Sequence, residues 1–147
     1  MGSIIEELRC YYQKLKGEYV LGNLKLVSSP LEKFNITNEV YEELARQSYD
    51  EFFDKHQSEL GHYFRTIYNI IKFVNDNKPE NPKYYTGLVR AQFSTYEHLL
   101  LFYNCFSEYG EEKFQPLVIE YSLLDNMPTS RLLDEEHESF YPDKAYE

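Results

Sequence analysis

Apolar residues recur every three or four positions over most of this chain, the spacing that places them on one face of an α-helix. The first run predicts a helix that stops at Gly17, with apolar positions at Ile4, Ile5, Leu8, Tyr11, Tyr12 and Leu15. The next residues, "EYVLGNLKLV", flank a Gly-Asn pair with apolar residues on both sides, which suits a tight turn. We therefore predict a short β-hairpin near residues 18–27, with a loop between two helices as the alternative.

The strongest helical pattern covers residues 40–77. Thr37 or Asn38 can cap its N-terminus. Its C-terminus is set by "NDNKPENPK", because proline cannot continue a helix. Gly61 lies in the middle of the run, at a point where the helix could kink or split.

A second long helical region is predicted for residues 84–109, closed by Gly110. Within it, "STYE" has the Ser-x-x-Glu form of a capping box, so a helix could restart at Ser94. The stretch "EEKFQPLVIEYSLL" predicts a further helix, with Pro116 in its first turn or at a kink. The fold class that follows is all-α, a small helical bundle built on two long helices.

The pattern divides the chain into three parts. Residues 1–36 form an N-terminal helix and connector, and residues 37–133 form the main helical domain. Residues 134–147 are acidic and lack an apolar period, so we predict a solvated tail.

Charge narrows the classes of partner. The chain carries a formal net charge of −10, which argues against a broad nucleic-acid-binding face. Residues 62–92 hold five Lys or Arg against two acids, a net charge of +3, so the remainder carries −13. A local anion site is compatible with this distribution, and RNA is a partner that the net charge does not favour.

Several classes of site lack their sequence signals. No Cys or His spacing suits zinc, and the chain has no phosphate loop, GxSxG or HExxH, so we expect neither a metal nor a cofactor. The longest apolar stretch, "LLLFY", is far shorter than the roughly 20 residues that cross a bilayer. We expect a cytoplasmic protein, with a membrane contact only if another segment precedes this chain.

Two polar stripes are the candidates for chemistry. His62, Arg65 and Asn69 share one helical face, and Arg90, Ser94, Glu97 and Asn104 share another. If the two helices pack antiparallel, His62, Arg65 and Arg90 form a cationic pocket oriented by Glu97. Such a pocket suits an anion, or phosphodiester cleavage with histidine as acid or base. The alternatives are a core Arg–Glu pair and, for Ser94 and Glu97, a simple helix cap.

Two blocks carry a family resemblance: "LGHYFRTIYNIIKFV" and "YYTGLVRAQFSTYEHLLLFYNCFSEYGEEKFQPLVIEYSLLDNM". The specific pieces are "HYFR", "RAQ-x-S", "LLFYN" and "F-x-P-L-x-x-x-Y-x-L". Over about Leu60–Met127 the chain resembles the phage abortive infection protein family of the AbiC type. The resemblance implies bacterial antiviral defence, in which an infected cell stops growing or dies before phage progeny are released.

Three modes of action remain open. The leading one is a helical sensor or interaction module that binds a protein partner or phage component, with Tyr63, Arg65, Asn69, Arg90, Gln92, Ser94, Glu97 and Asn104 as binding residues. The second is a metal-independent ribonuclease that uses His62, Arg65 and Arg90. It is disfavoured by the HEPN pattern of many such effectors, because Arg90 and His98 are too far apart in sequence for that motif. The third is an oligomeric scaffold, such as a homodimer of tyrosine-rich helices.

Overall fold

The computed structural model describes residues 2–24 and 35–147. Its α-helices are α1 (Gly2–Leu24), α2 (Asn38–Asn77), α3 (Pro82–Arg90), α4 (Thr95–Phe106) and α5 (Gln115–Glu120). Short 3-10 helices follow at Thr129–Arg131, Glu135–Phe140 and Asp143–Ala145. No β-strand occurs in these ranges, and the predicted all-α class is confirmed.

Helix α2 matches the long helix predicted for residues 40–77. The side chain of Thr37 caps it by accepting a hydrogen bond from the backbone N–H of Val40 at 3.4 Å. It ends at Asn77 and is capped by Lys78, which has a φ of 44° and donates its N–H to the carbonyl of Val74. The helix passes through Gly61 without splitting, because buried apolar residues on both sides of the glycine keep one continuous stripe against the core.

The second long helix predicted for residues 84–109 is in fact two helices. Helix α3 ends at Arg90, and α4 starts after Ser94, where both halves of the capping box form. The Ser94 N–H donates to Glu97 Oε2 at 2.7 Å, and the Glu97 N–H donates to Ser94 Oγ at 3.2 Å. This box satisfies backbone donors at a new helix start and stabilises the break.

Helix α4 is central to the core and ends earlier than the sequence pattern predicts. Every side chain from His98 to Phe106 is buried, as its apolar run on all faces requires. The helix stops at Phe106, and the chain then folds back on it. A Cβ on Gly110 would lie 2.7 Å from the Cα of Cys105, so this close return requires glycine.

Helix α1 is longer than predicted, and the hairpin near residues 18–27 is wrong where it can be compared. Residues 18–24 belong to α1, which continues through Gly17 and Gly22. A glycine costs only about 1 kcal/mol in a helix, and Asn23 adds a helical contact by donating to the carbonyl of Tyr19 at 2.8 Å. Residues 25–27 lie outside the described residues.

The C-terminal segment packs on the core, so the prediction of a solvated tail is wrong. His137, Tyr141 and Ala145 are buried, and Tyr141 donates its hydroxyl to the carbonyl of Phe102 on α4 at 2.7 Å. Most acidic residues of this segment are exposed, which explains why the sequence pattern resembles a tail: Glu135, Glu136, Glu138, Asp143 and Glu147. The division of the chain into three parts stays a prediction.

Candidate functional site

A cleft of about 260 Å³ opens between α2 and the residues that follow α4. We call it the aromatic cleft and define it by Phe53, Phe64, Arg65, Asn104, Tyr109 and Lys113. Its two walls come from parts of the chain that are far apart in sequence. The chain after α4 places Tyr109, Lys113 and Phe114 opposite α2 and so forms the second wall.

Ring pairs join the two walls of the aromatic cleft. The ring centroids of Phe53 and Tyr109 are 4.3 Å apart, and those of Tyr68 and Phe114 are 5.5 Å apart. Each pair has one ring from α2 and one from the opposite wall, within the range of favourable aromatic contacts. The hydroxyl of Tyr109 also donates to Asp54 Oδ1 at 3.3 Å. These contacts fix the width of the opening.

The cleft contains a buried amide. Asn104 is 4% exposed and donates its Nδ2 to the hydroxyl oxygen of Tyr49 at 2.7 Å. Burial raises the pKa of Tyr49 well above its ordinary value, so the phenol stays protonated and neutral. The deep part of the cleft is therefore polar without carrying a charge on this pair.

Two cations stand on opposite walls of the same cleft. Arg65 projects from α2 and Lys113 from the chain after Gly110, and both side chains are exposed. Among residues 2–24 and 35–147, no carboxylate forms an ion pair with either of them. Neither charge is neutralised by an ion pair within these ranges, so each is available to an anion at the cleft.

A second cleft, also of about 260 Å³, lies beside Arg90 and His98. Here the charges are already matched, since Arg90 Nη1 lies 3.0 Å from Asp125 Oδ2. The Nε2 of His98 lies 2.5 Å from the carbonyl oxygen of Leu123. Burial lowers the pKa of His98, which keeps the ring neutral. This arrangement ties the end of α3 and the start of α4 to the chain after α5.

The structure does not bring His62, Arg65 and Arg90 into one pocket. Arg65 lines the aromatic cleft, Arg90 lines the second cleft, and His62 is exposed on α2 without lining either. Asn104, which was assigned to the opposite stripe, shares the aromatic cleft with Arg65. The stripes separate because the chain breaks between Arg90 and Ser94. A catalytic role for His62, Arg65 and Arg90 stays a prediction.

The other predicted binding residues lie at the junction of α2 and α4 or on the surface. Tyr63 is half-buried and hydrogen-bonds Glu97, the residue that also completes the cap with Ser94. Burial acts to raise the pKa of Glu97, but hydrogen bonds from Ser94 and Tyr63 outweigh burial and lower it. Asn69 and Gln92 are exposed. Glu97 is therefore hydrogen-bonded to Ser94 and Tyr63, whereas Arg90 forms its ion pair with Asp125.

Of the residues that line the aromatic cleft, sequence reasoning singled out only Arg65 and Asn104. On the wall opposite α2 it missed Tyr109, Lys113 and Phe114. They follow the end of α4, in a stretch whose helical pattern is broken by Gly110. Their one available signal was that "EYGEEKF" places two aromatic residues and a lysine around a glycine. That signal does not say which surface they face, because the turn direction depends on the packing of Gly110 against α4.

The family model of the putAbiC proteins, described as "Putative phage abortive infection protein", matches residues 55–132. This chain belongs to the putAbiC family. The match runs from α2 through α5 to the first 3-10 helix, so both clefts of this putAbiC chain are built from matched residues with the exception of Phe53 at the edge. No curated protein and no solved structure matches the chain. Within the described residues, no helix of the putAbiC chain is long and apolar enough to cross a membrane.

Proposed function

We propose that this chain acts in phage abortive infection as a helical module that binds a protein partner through one exposed face. That face consists of Ile70 and Phe73 on α2 with Tyr84, Tyr85 and Leu88 on α3. We call it the hairpin surface after the turn that joins these two helices, and it is unrelated to the β-hairpin predicted near residues 18–27. Of the seven large apolar side chains that are exposed in the described residues, the hairpin surface holds five. This concentration is the observation that carries the proposal.

Leaving such side chains in water is unfavourable, and concentrations of exposed apolar residues mark binding sites. Phe73 is 68% exposed and Tyr84 is 64% exposed, so neither side chain contributes much to the core. Aromatic residues are also enriched at protein interfaces, where their large rings supply contact area. The hairpin surface therefore fits a partner better than it fits a packing role within the chain.

Charge favours one kind of partner. The hairpin surface lies in the segment 62–92, which carries a net charge of +3 within a chain of −10. Lys78 and Lys83 are exposed beside its apolar residues. A protein with an apolar patch and an acidic rim complements this arrangement. Two copies of the chain that met face to face would place two positive segments against each other, which is why we favour a different protein over a homodimer.

A plaque assay on cells that carry the natural gene tests this function. We expect Phe73→Ser combined with Tyr84→Ser to abolish protection while the circular dichroism spectrum and melting temperature stay close to wild type. Leu21→Ser is the matched control, because Leu21 is 63% exposed but lies on α1 outside the hairpin surface. The control should protect as well as wild type.

Full protection by the folded double variant would overturn the proposal. Light scattering on the purified protein separates the two kinds of partner. A dimer that becomes a monomer on Phe73→Ser would assign the hairpin surface to a second copy, and the acidic-partner assignment would then be wrong. A charge-reversed variant, Lys78→Glu with Lys83→Glu, should weaken protection if the partner has an acidic rim.

A further inference from the structure

The aromatic cleft is separate from the hairpin surface, and partner binding through that surface gives it no role. It combines aromatic rings, a buried amide and two cations on opposite walls. We propose that the aromatic cleft binds a free mononucleotide, with the base against the aromatic walls and the phosphate between Arg65 and Lys113. This site goes beyond the proposed interaction function and does not depend on it.

The aromatic walls suit a flat ring. Rings from both walls line the cleft, Phe53 and Tyr68 from α2 and Tyr109 and Phe114 from the chain after α4. The two members of each pair already contact each other, so a base would lie on their cleft-facing sides and not between them. Stacking of a base on such side chains is worth about 1–3 kcal/mol and tolerates any base. Asn104 adds an amide at the cleft, where its polar atoms can meet the edge of a base. An aliphatic ligand would use neither feature fully.

The two cations suit a phosphate. Several basic side chains already have carboxylate partners, such as Arg46 with Glu111, Arg90 with Asp125 and Lys144 with Glu120. Arg65 and Lys113 have no such ion pair within the described ranges, although the chain is strongly acidic. Arginine binds phosphate oxygens in a forked geometry, and lysine adds a point charge.

Size and charge favour a single nucleotide over a strand. The cleft holds about 260 Å³, which is close to the lower end of the roughly 300–1,000 Å³ of small-molecule sites. A strand would extend past the cleft over a protein of net charge −10, where its further phosphates would be repelled. A free mononucleotide places one phosphate at the two cations and leaves no charge outside.

Gly61 supplies a way to close the cleft. It lies on α2 among the lining residues, and a Cβ there would be 3.7 Å from Phe53 Cζ, an ordinary contact. Gly61→Leu can therefore be accommodated at its Cβ while the rest of its side chain fills the opening. Arg65→Gln and Lys113→Gln remove one charge each from exposed positions and should leave the fold unchanged.

The test is isothermal titration calorimetry of the purified chain with AMP, GMP, CMP and UMP. We expect saturable binding of at least one of them to the wild-type protein. Affinity should be weaker by about tenfold or more when the matching nucleoside replaces the nucleotide, and also when Arg65→Gln or Lys113→Gln replaces wild type. Gly61→Leu should remove binding. Lys83→Gln is the matched control, an exposed lysine outside the cleft, and should bind like wild type.

Four results would overturn the proposal. The first is the absence of saturable binding for all four mononucleotides. The second is binding that Arg65→Gln and Lys113→Gln leave unchanged in folded protein, which would place the nucleotide elsewhere. The third is tighter binding of a 5′-phosphorylated oligonucleotide than of the mononucleotide, which would make an RNA end the ligand. Inorganic phosphate that binds as tightly as the nucleotide would likewise remove the role of the aromatic walls.

Discussion

The stability of this protein should fall in acid because of one buried histidine, His137. Its side chain is 0% exposed and joins α1, α4 and the C-terminal segment. Its Nδ1 lies 2.7 Å from the hydroxyl of Tyr103, and its Nε2 lies 3.1 Å from the hydroxyl of Tyr12. The network extends to Asp134, which accepts a hydrogen bond from Tyr12 at 2.9 Å.

The directions of these hydrogen bonds assign the proton on the imidazole. The Tyr12 hydroxyl donates its hydrogen to Asp134, so its oxygen accepts from His137 Nε2–H. The Tyr103 oxygen accepts from the backbone N–H of Leu133 at 2.8 Å, which leaves its hydrogen for His137 Nδ1. The ring is thus neutral with its proton on Nε2. A second proton, on Nδ1, would meet the hydrogen of the Tyr103 hydroxyl, and this hydrogen bond would be lost.

Burial, countered in part by Asp134, lowers the pKa of His137 from 6.5 to about 4. The unfolded chain therefore binds a proton at higher pH than the folded chain does. The neutral ring contributes full stability above pH 6.5, and this contribution is lost as the pH falls from 6.5 towards 4. The loss is about 2 kcal/mol at pH 5 and approaches about 3 kcal/mol below pH 4.

Other titrating groups make a variant comparison necessary. Burial also lowers the pKa of His98, which adds acid sensitivity. Asp50 acts in the opposite sense, because burial and nearby acids raise its pKa to about 6. Asp134 stays ionised in this window: burial acts to raise its pKa, but hydrogen bonds from Lys16 and Tyr12 outweigh burial and lower it. Subtracting the behaviour of a His137 variant removes these shared contributions.

The assay is urea unfolding of wild type and His137→Gln at pH 7.5 and pH 5. We expect the variant to be less stable at pH 7.5 and to lose about 2 kcal/mol less than wild type on going to pH 5. Equal losses in the two proteins would refute the reasoning. Nitrogen NMR of the wild-type imidazole is a direct second readout, and a proton found on Nδ1 at pH 7.5 would contradict the assigned tautomer.

Three further predictions concern stability and are tested by urea or thermal unfolding. Gly61→Ala should stabilise the protein by about 0.5–1 kcal/mol, since the helix there has room for a methyl group. Gly110→Ala should destabilise it by several times more, because its Cβ would meet backbone atoms at 2.7–2.8 Å. Effects of equal sign would contradict this contrast. Ser94→Ala should lower the free energy of unfolding by about 1 kcal/mol, because it removes the α4 cap. Ser130→Ala, at an exposed serine in a 3-10 helix, serves as its control. Equal effects of the two substitutions would show that the cap is dispensable. Asp50→Asn should raise stability at pH 7.5 and raise it less at pH 4, because burial raises the pKa of Asp50 to about 6. The Oδ1 of Asp50 is also buried without a hydrogen-bond partner among the described residues. A larger gain at pH 4 than at pH 7.5 would show that the charge is not the cause.

Local signals in the sequence determined most of the helical content. The apolar period over residues 40–77 predicted α2, and its cap at Thr37 and its stop before Pro79 follow from the same stretch. The "STYE" box predicted a helix start at Ser94, and Pro116 lies in the first turn of α5 as expected. These features depend on backbone hydrogen bonds within a few residues, so the nearby side chains suffice to specify them.

The same local signals were wrong wherever distant contacts compete with them. Gly17 and Gly22 suggested a stop and a turn, yet α1 continues through both while its apolar face, with Ile5, Leu8 and Tyr12, is buried in the core. The acidic composition of residues 134–147 suggested solvent, yet His137 and Tyr141 are held by partners on α1 and α4. Burial of a few large side chains outweighs the preference of the residues between them.

The candidate site, too, was predicted in part from local sequence and decided in part by contacts between distant residues. The sequence alone singled out Arg65 and Asn104 as polar residues on helical stripes, and the family resemblance to the AbiC type is confirmed by the putAbiC match over residues 55–132. Only the tertiary structure decided that these two residues share a cleft with Lys113 while Arg90 pairs with Asp125. A helical period fixes which face a side chain occupies, but the break between α3 and α4 and the turn at Gly110 set which faces meet. Both depend on packing against α4, whose partners lie far away along the chain.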